Sequence, residues 1–128
     1  MVMYYCLAIA MFIPIALSLG TAPFRIKQFS TPNFNEPRAQ ADQLSGAGGR
    51  MVAAQKNAWE ALLLFSVTLF IAFANNVSAD QIAIACIIFI VARISHAVLY
   101  VLGWGIMRFL AFLVAVSALI SIIWQALA

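Results

Sequence analysis

The sequence predicts an all-α integral membrane protein, a four-helix bundle whose helices run up, down, up and down. Of the 128 residues, 66% are hydrophobic and only 9% are charged, whereas soluble domains are about 45 to 50% apolar and about 25% charged. Disordered chains have the opposite composition. Four apolar stretches are also long enough to cross about 30 Å of hydrocarbon, and none alternates like a barrel strand.

The predicted spans are residues 2–20, 52–74, 81–102 and 109–127, which make one transmembrane domain of residues 1–128. Each has roughly the 20 helical residues that a span requires at 1.5 Å per residue. The first stretch lacks the positive charge that opens a signal peptide, so we expect it to be a retained helix.

The loop charges predict an orientation. The polar connection of residues 21–51 carries four basic residues, Arg25, Lys27, Arg38 and Arg50, whereas the turn at 75–80 has none. By the positive-inside rule, the long loop and the turn at 103–108 face the cytoplasm and both termini face the opposite side.

Charge and cysteine content exclude several function classes. The net charge is +3, but seven scattered basic residues make no patch for nucleic acid. Cys6 and Cys86 lie in apolar runs, where a thiol behaves as a small hydrophobe. We find no metal-binding cluster, phosphate-binding loop or Ser/His/Asp set in the sequence.

Polar side chains enter only two of the spans in a pattern that suggests a site. In the second span, Arg50, Asn57 and Glu60 recur at spacings of seven and three, which places them on one helical face, with Lys56 beside them. Charged residues inside a span are costly and usually mark function.

The third span has a matching face, because Arg93, His96 and Tyr100 follow one another at spacings of three and four. Counted at 1.5 Å per residue, Glu60 lies about 13 Å below the cytoplasmic boundary and Arg93 about 15 Å, while Asn57 lies at about 9 Å and His96 at about 10 Å. We therefore expect Glu60 to neutralise Arg93 and the other residues to line a cavity open to the cytoplasm.

Each of these residues also has a structural interpretation. Glu60 and Arg93 could only hold two helices in register, His96 could cap a carbonyl, Tyr100 could anchor at the interface and Lys56 could reach the headgroups. Together, however, they favour a site for a small anionic ligand from the cytoplasm and an apolar partner from the lipid. If chemistry occurs there, Arg108 at the rim and the Tyr100 hydroxyl would stabilise a developing anion.

Most of residues 33–115 resemble one known family, the membrane-associated proteins in eicosanoid and glutathione metabolism (MAPEG). Residues 50–61 are similar to its second-helix signature, an arginine followed by Asn-x-x-Glu. Residues 92–100 are similar to its third-helix Arg-x-x-His-x-x-x-Tyr, and residues 103–108 to the turn that ends in its catalytic arginine. Residues 33–38 resemble the loop of bacterial members.

The resemblance implies a homotrimer in the bacterial inner membrane, with glutathione bound between neighbouring subunits. Carried over by position, Asn57, Glu60, His96 and Tyr100 hold the tripeptide, Arg93 supports Glu60, and Arg108 stabilises the thiolate. The predicted catalytic residues are thus Arg108 and Tyr100. The predicted glutathione-binding residues are Arg50, Lys56, Asn57, Glu60, Arg93 and His96.

Two functions stay open, because the family includes glutathione transferases and lipid-mediator synthases but also a lipoxygenase-activating protein without enzyme activity. The first is a glutathione-dependent transferase or peroxidase for lipophilic electrophiles, which Arg108 and Tyr100 favour. The second is a non-catalytic protein that binds lipid or a partner protein. It is favoured by Ala53, where several members have arginine, and by Phe109, where some have a hydroxyl residue.

Overall fold

A computed structural model describes residues 1–128, and every regular element in it is a helix. In chain order the helices are α1 (Val2–Gly20), α2 (Ala22–Phe29), α3 (Pro37–Asp42), α4 (Gly46–Ala74), α5 (Ala83–Leu102) and α6 (Gly105–Leu127). Four helical segments are long and apolar enough to cross a membrane: α1 with α2, α4, α5 and α6. The prediction of an all-α membrane bundle is therefore confirmed.

The connection between the first two spans is more ordered than its composition suggests. Residues 21–51 contain α2, α3 and the first turns of α4, which begins at Gly46 and not near residue 52. Pro23 and Pro37 stand in the first turns of α2 and α3, where the missing N–H has no helical partner to lose. Gly46 enters α4 with a φ of +57°, a conformation that glycine adopts without steric cost.

The core lies between the four long helices and consists mainly of alanine, with isoleucine, leucine, cysteine and phenylalanine. The rings of Phe65 on α4 and Phe89 on α5 stack with their centroids 4.3 Å apart. Cys6 and Cys86 are free and buried in this core. α5 packs most extensively against α6, and α1 packs against α4 and α5. This packing brings the polar faces of α4 and α5 together.

Candidate functional site

The polar residues of α4 and α5 meet at Arg93. Its side chain is only 4% exposed, and its Nη2 donates to Asn57 Oδ1 at 2.6 Å and to the Asn57 carbonyl at 3.4 Å. Asn57 Nδ2 in turn donates to Glu60 Oε2 at 3.3 Å. Asn57 therefore stands between the guanidinium and the carboxylate and hydrogen-bonds to both.

The expected direct pair between Glu60 and Arg93 is wrong, because the chain's one ion pair joins Lys56 to Asp42. Matching depths set the height of two side chains but not their direction around the helix axes. Glu60 is three residues beyond Asn57, a rotation of about 60° on the helix, and this turn leaves Glu60 exposed on the outside of the bundle beside the exposed Trp59.

A second cluster forms at the end of α5. Arg108 lies over the Tyr100 ring, with its guanidinium carbon 4.1 Å from the ring centroid. The rings of Tyr100 and His96 meet edge to face at 5.6 Å. His96 is only 4% exposed, and its Nδ1 is buried without a hydrogen-bond partner. Since buried polar atoms are nearly always paired, this nitrogen lacks a hydrogen bond that a water molecule or a ligand would supply.

The turn between α5 and α6 brings Arg108 to Tyr100. Gly103 ends α5 with a φ of +80°, the left-handed conformation in which glycine commonly terminates a helix. The Trp104 N–H donates back to the Leu99 carbonyl at 3.0 Å, and the Arg108 N–H donates to the Trp104 carbonyl at 2.9 Å. α6 therefore starts at once and carries Arg108 in its first turn.

Arg50 is placed against this turn and not beside Asn57. Its Nε donates to the Val101 carbonyl at 2.9 Å, one of the carbonyls that the end of α5 leaves without a helical partner. A Cβ on Gly103 would lie 3.4 Å from the Arg50 Nε. Arg50 thus fastens the start of α4 to the turn that positions Arg108.

Lys56 points toward the loop. Its Nζ lies 2.8 Å from Asp42 Oδ1 at the end of α3. The pair borders a cavity of about 240 Å³ that Arg38, Gln55 and Trp59 also line. The sequence analysis did not single out Asp42, and no spacing signal could have found it, because an irregular connection separates it from α4.

The predicted residues therefore fall into two linked clusters and two outlying contacts. The α5 residues Arg93, His96 and Tyr100 share one face, as their spacing predicts, and connect Asn57 and Glu60 on α4 with Arg108 on α6. Arg50 and Lys56 are engaged with the α5 turn and the loop. No group of three or more His, Cys, Asp or Glu side chains is arranged to hold a metal ion.

The free polar groups set what the site can do. The Glu60 carboxylate accepts one hydrogen bond and forms no direct ion pair, so it can accept an ammonium group. The guanidinium of Arg108 packs on the Tyr100 ring and makes no hydrogen bond, which leaves its N–H donors for an anion. Such a donor, fixed in a dry environment, stabilises developing negative charge by several kcal/mol.

Comparison with known proteins gives one match. A family model described as the MAPEG family matches residues 2–128, essentially the whole chain. No curated protein and no solved structure matches the chain.

Proposed function

The chain belongs to the MAPEG family, and from this premise we propose that it is a glutathione-dependent membrane transferase or peroxidase acting on lipophilic electrophiles. The observation that carries the proposal is the position of Arg108 in the first turn of α6, over the Tyr100 ring at 4.1 Å. Helix N-termini favour anions, so the guanidinium and the N-terminus of α6 both stabilise a bound anion.

The residues of the two clusters fit glutathione by charge. The Glu60 carboxylate, oriented by Asn57, would bind the ammonium of the tripeptide. The orphaned Nδ1 of His96 would gain the hydrogen bond that it lacks. Arg93 holds Asn57 in place and acts on the ligand only through that residue.

Glutathione supplies a thiol nucleophile to such a reaction. The part that falls to this chain is electrostatic, since Arg108 stabilises the thiolate form over the thiol. The Tyr100 hydroxyl would be a second hydrogen-bond donor to the thiolate, and the Tyr100 ring holds the guanidinium by a cation–π contact.

We propose that the active form is a homotrimer with glutathione between neighbouring subunits. The exposed Glu60 supports this proposal, because an uncovered carboxylate within a membrane-length apolar helix is costly. A neighbouring copy would cover it. We further propose a bacterial inner-membrane location with residues 21–51 on the cytoplasmic side. The basic residues Arg25, Lys27 and Arg38 support this orientation.

A non-catalytic accessory protein is the second candidate. Phe109 follows Arg108 directly and stacks on Phe112, with ring centroids 6.5 Å apart. This aromatic pair offers no hydroxyl group next to the guanidinium and presents an apolar surface suited to lipid.

The two candidates differ in glutathione binding and in turnover. We expect calorimetric titration of glutathione into the detergent-purified protein to show saturable binding, and chloronitrobenzene-type electrophiles to be conjugated. Binding without turnover of any lipophilic electrophile favours the accessory protein. Absence of binding at millimolar glutathione rejects the enzyme. Arg25→Ala, which removes an arginine of α2 bonded to Thr21, serves as a control that retains both properties.

A further inference from the structure

α1 carries a proline, Pro14, in the interior of its membrane-length span. Pro14, Ala10 and Cys6 are the buried residues of this helix. Proline has no backbone N–H, so the Ala10 carbonyl one turn earlier has no α-helical partner. Inside a membrane, such a carbonyl is satisfied by a neighbouring helix, a side chain or an ordered water molecule. Since Ala10 is only 4% exposed, that partner has to come from the side of α1 that packs against α4 and α5.

Ala10 borders a small cavity at the junction of three helices. Ala10 and Ile13 line it from α1, Ala58 and Ala61 from α4, and Phe89 and Arg93 from α5. Arg93 is the only polar side chain in the lining. The volume is about 10 Å³, roughly the space that one water molecule needs. The cavity is therefore too small for an acyl chain or for a side chain of a second copy.

Arg93 borders this cavity with unused hydrogen-bond donors. A guanidinium carries N–H donors on each of its nitrogens, but both hydrogen bonds of Arg93 come from Nη2 and go to Asn57. Nε and Nη1 donate to no protein group. Since polar groups as deeply buried as Arg93 are nearly always paired, the guanidinium needs a further acceptor, and the cavity is the space in which one can lie.

The two free groups select the molecule that joins them. It has to donate to the Ala10 carbonyl oxygen and accept from an Arg93 N–H, and water does both. An anion would accept from Arg93 but would be repelled by the negative end of the carbonyl dipole, and a cation would be repelled by the guanidinium. Size and polarity therefore both favour water.

We propose that one buried water molecule joins the Ala10 carbonyl to the Arg93 guanidinium, and that Pro14 creates this site by leaving the carbonyl free. The water holds the guanidinium from the α1 side, while Asn57 holds it from α4. Because Asn57 also donates to Glu60, Pro14 is a positioning residue that acts on the Glu60 carboxylate through Arg93 and Asn57. The water site is independent of glutathione, whereas its effect on glutathione binding rests on the proposed function.

The first test is an experimental structure of the full chain in nanodiscs, at a resolution that shows ordered water. It should show one water molecule within hydrogen-bond distance of the Ala10 oxygen and of an Arg93 nitrogen. Pro14→Ala returns the missing N–H to the Ala10 carbonyl, and the water should be lost. The matched control is Pro37→Ala, which should keep the water, because Pro37 stands in the first turn of α3 and does not line the cavity. The proposal is overturned if the parent shows no water between the two groups, or if the water persists in Pro14→Ala.

Calorimetric titration of glutathione tests the positioning role. Pro14→Ala should lower the glutathione affinity severalfold, because Glu60 is held less precisely, while Pro37→Ala should bind like the parent. The thermal unfolding temperature of Pro14→Ala should not fall below that of the parent, since alanine favours a helix, so weaker binding would not reflect unfolding. Equal affinities of the two variants would overturn the positioning role. A parent that binds no glutathione refutes the proposed function and the positioning role with it, whereas the water site is decided by the structure alone.

Discussion

The two ends of the bundle solve the problem of polar groups in lipid in different ways. At the Arg108 end, charged side chains are fixed by specific partners: Arg93 by Asn57, Arg50 by Val101 and Lys56 by Asp42. At the Gln125 end the polar groups of the spans are uncharged, and they bond back to their own helix. The difference teaches that most charged side chains of the spans bond to an oxygen on another element. Glu60, which is bonded only to Asn57 of its own helix, and Arg108, whose guanidinium makes no hydrogen bond, are exceptions that indicate function.

The largest effect on activity should come from removing Arg108, the charge whose donors are left free for an anion. Arg108→Ala should lower turnover of lipophilic electrophiles by about 100- to 1,000-fold, the loss typical of removing one preorganised donor to an anion. The fold should survive, because the Arg108 side chain makes no hydrogen bond or ion pair whose loss would leave a buried group unpaired. Steady-state rates measured beside Arg25→Ala check this prediction, and undiminished turnover would show that the catalytic group lies elsewhere.

Removing the partner of a buried charge should instead cost stability. Asn57→Leu leaves the guanidinium of Arg93 without its 2.6 Å acceptor, and a hydrogen bond to a charged group contributes about 1.5 to 3 kcal/mol. Thermal unfolding in detergent should show this loss. Asn35→Ala is the control, since its side chain in the exposed loop makes no hydrogen bond. If both variants unfold like the parent, Asn57 does not hold Arg93.

Arg50 tests whether the α5 turn depends on α4. Arg50→Ala removes the bond to the Val101 carbonyl and should destabilise the protein by about 1 to 2 kcal/mol. Because the turn carries Arg108, the variant should also lower the maximal rate more than it raises the glutathione concentration needed for half-saturation. A change in glutathione affinity alone would mean that Arg50 contacts the ligand and does not position the turn.

Glu60→Gln distinguishes the direct Glu60–Arg93 ion pair expected from matching depths from the arrangement in the structure, in which Asn57 stands between the two side chains. A direct pair with a dry Arg93 would make this substitution cost about 3 to 5 kcal/mol. Since Glu60 is exposed and bonded only to Asn57, we expect a stability change below about 1 kcal/mol, with glutathione affinity reduced at least tenfold. A large drop in unfolding temperature would instead indicate that Glu60 and Arg93 form a direct ion pair.

The smallest effect should belong to the exposed pair on the loop. Asp42→Asn removes the ion pair with Lys56. Both side chains of this pair are more than half exposed, and surface pairs contribute about 0.2 to 1 kcal/mol. The effect should fade further in high salt. Unfolding measured at low and high ionic strength checks this, and a loss above about 2 kcal/mol would mean that the pair holds α3 in place.

Much of this organisation could be predicted from the sequence, because periodicity and hydropathy act within one helix. The face formed by Arg93, His96 and Tyr100 follows from spacing alone, and Gly103 predicts the short turn that brings Arg108 near. Contacts between helices depend on how each helix is rotated about its axis, which spacing does not determine. For that reason the predicted pairing of Glu60 with Arg93 is wrong.

The loop could not be predicted for a related reason. The pair of Lys56 with Asp42 and the contact of Arg50 with Val101 each join two different elements, and the geometry of the connection between those elements has no periodic pattern. Composition indicates only that residues 21–51 are polar. The short helices α2 and α3 form because their ends and prolines are compatible with tertiary packing against α4.

The most direct test of the central claim is the ultraviolet thiolate absorbance of bound glutathione in the wild-type protein and in Arg108→Ala. The account predicts a saturable thiolate signal in the wild type and its loss in Arg108→Ala, while calorimetry still detects bound glutathione in the variant. A thiolate signal of equal size in both proteins, or no signal in the wild type at saturating glutathione, would contradict the role assigned to Arg108.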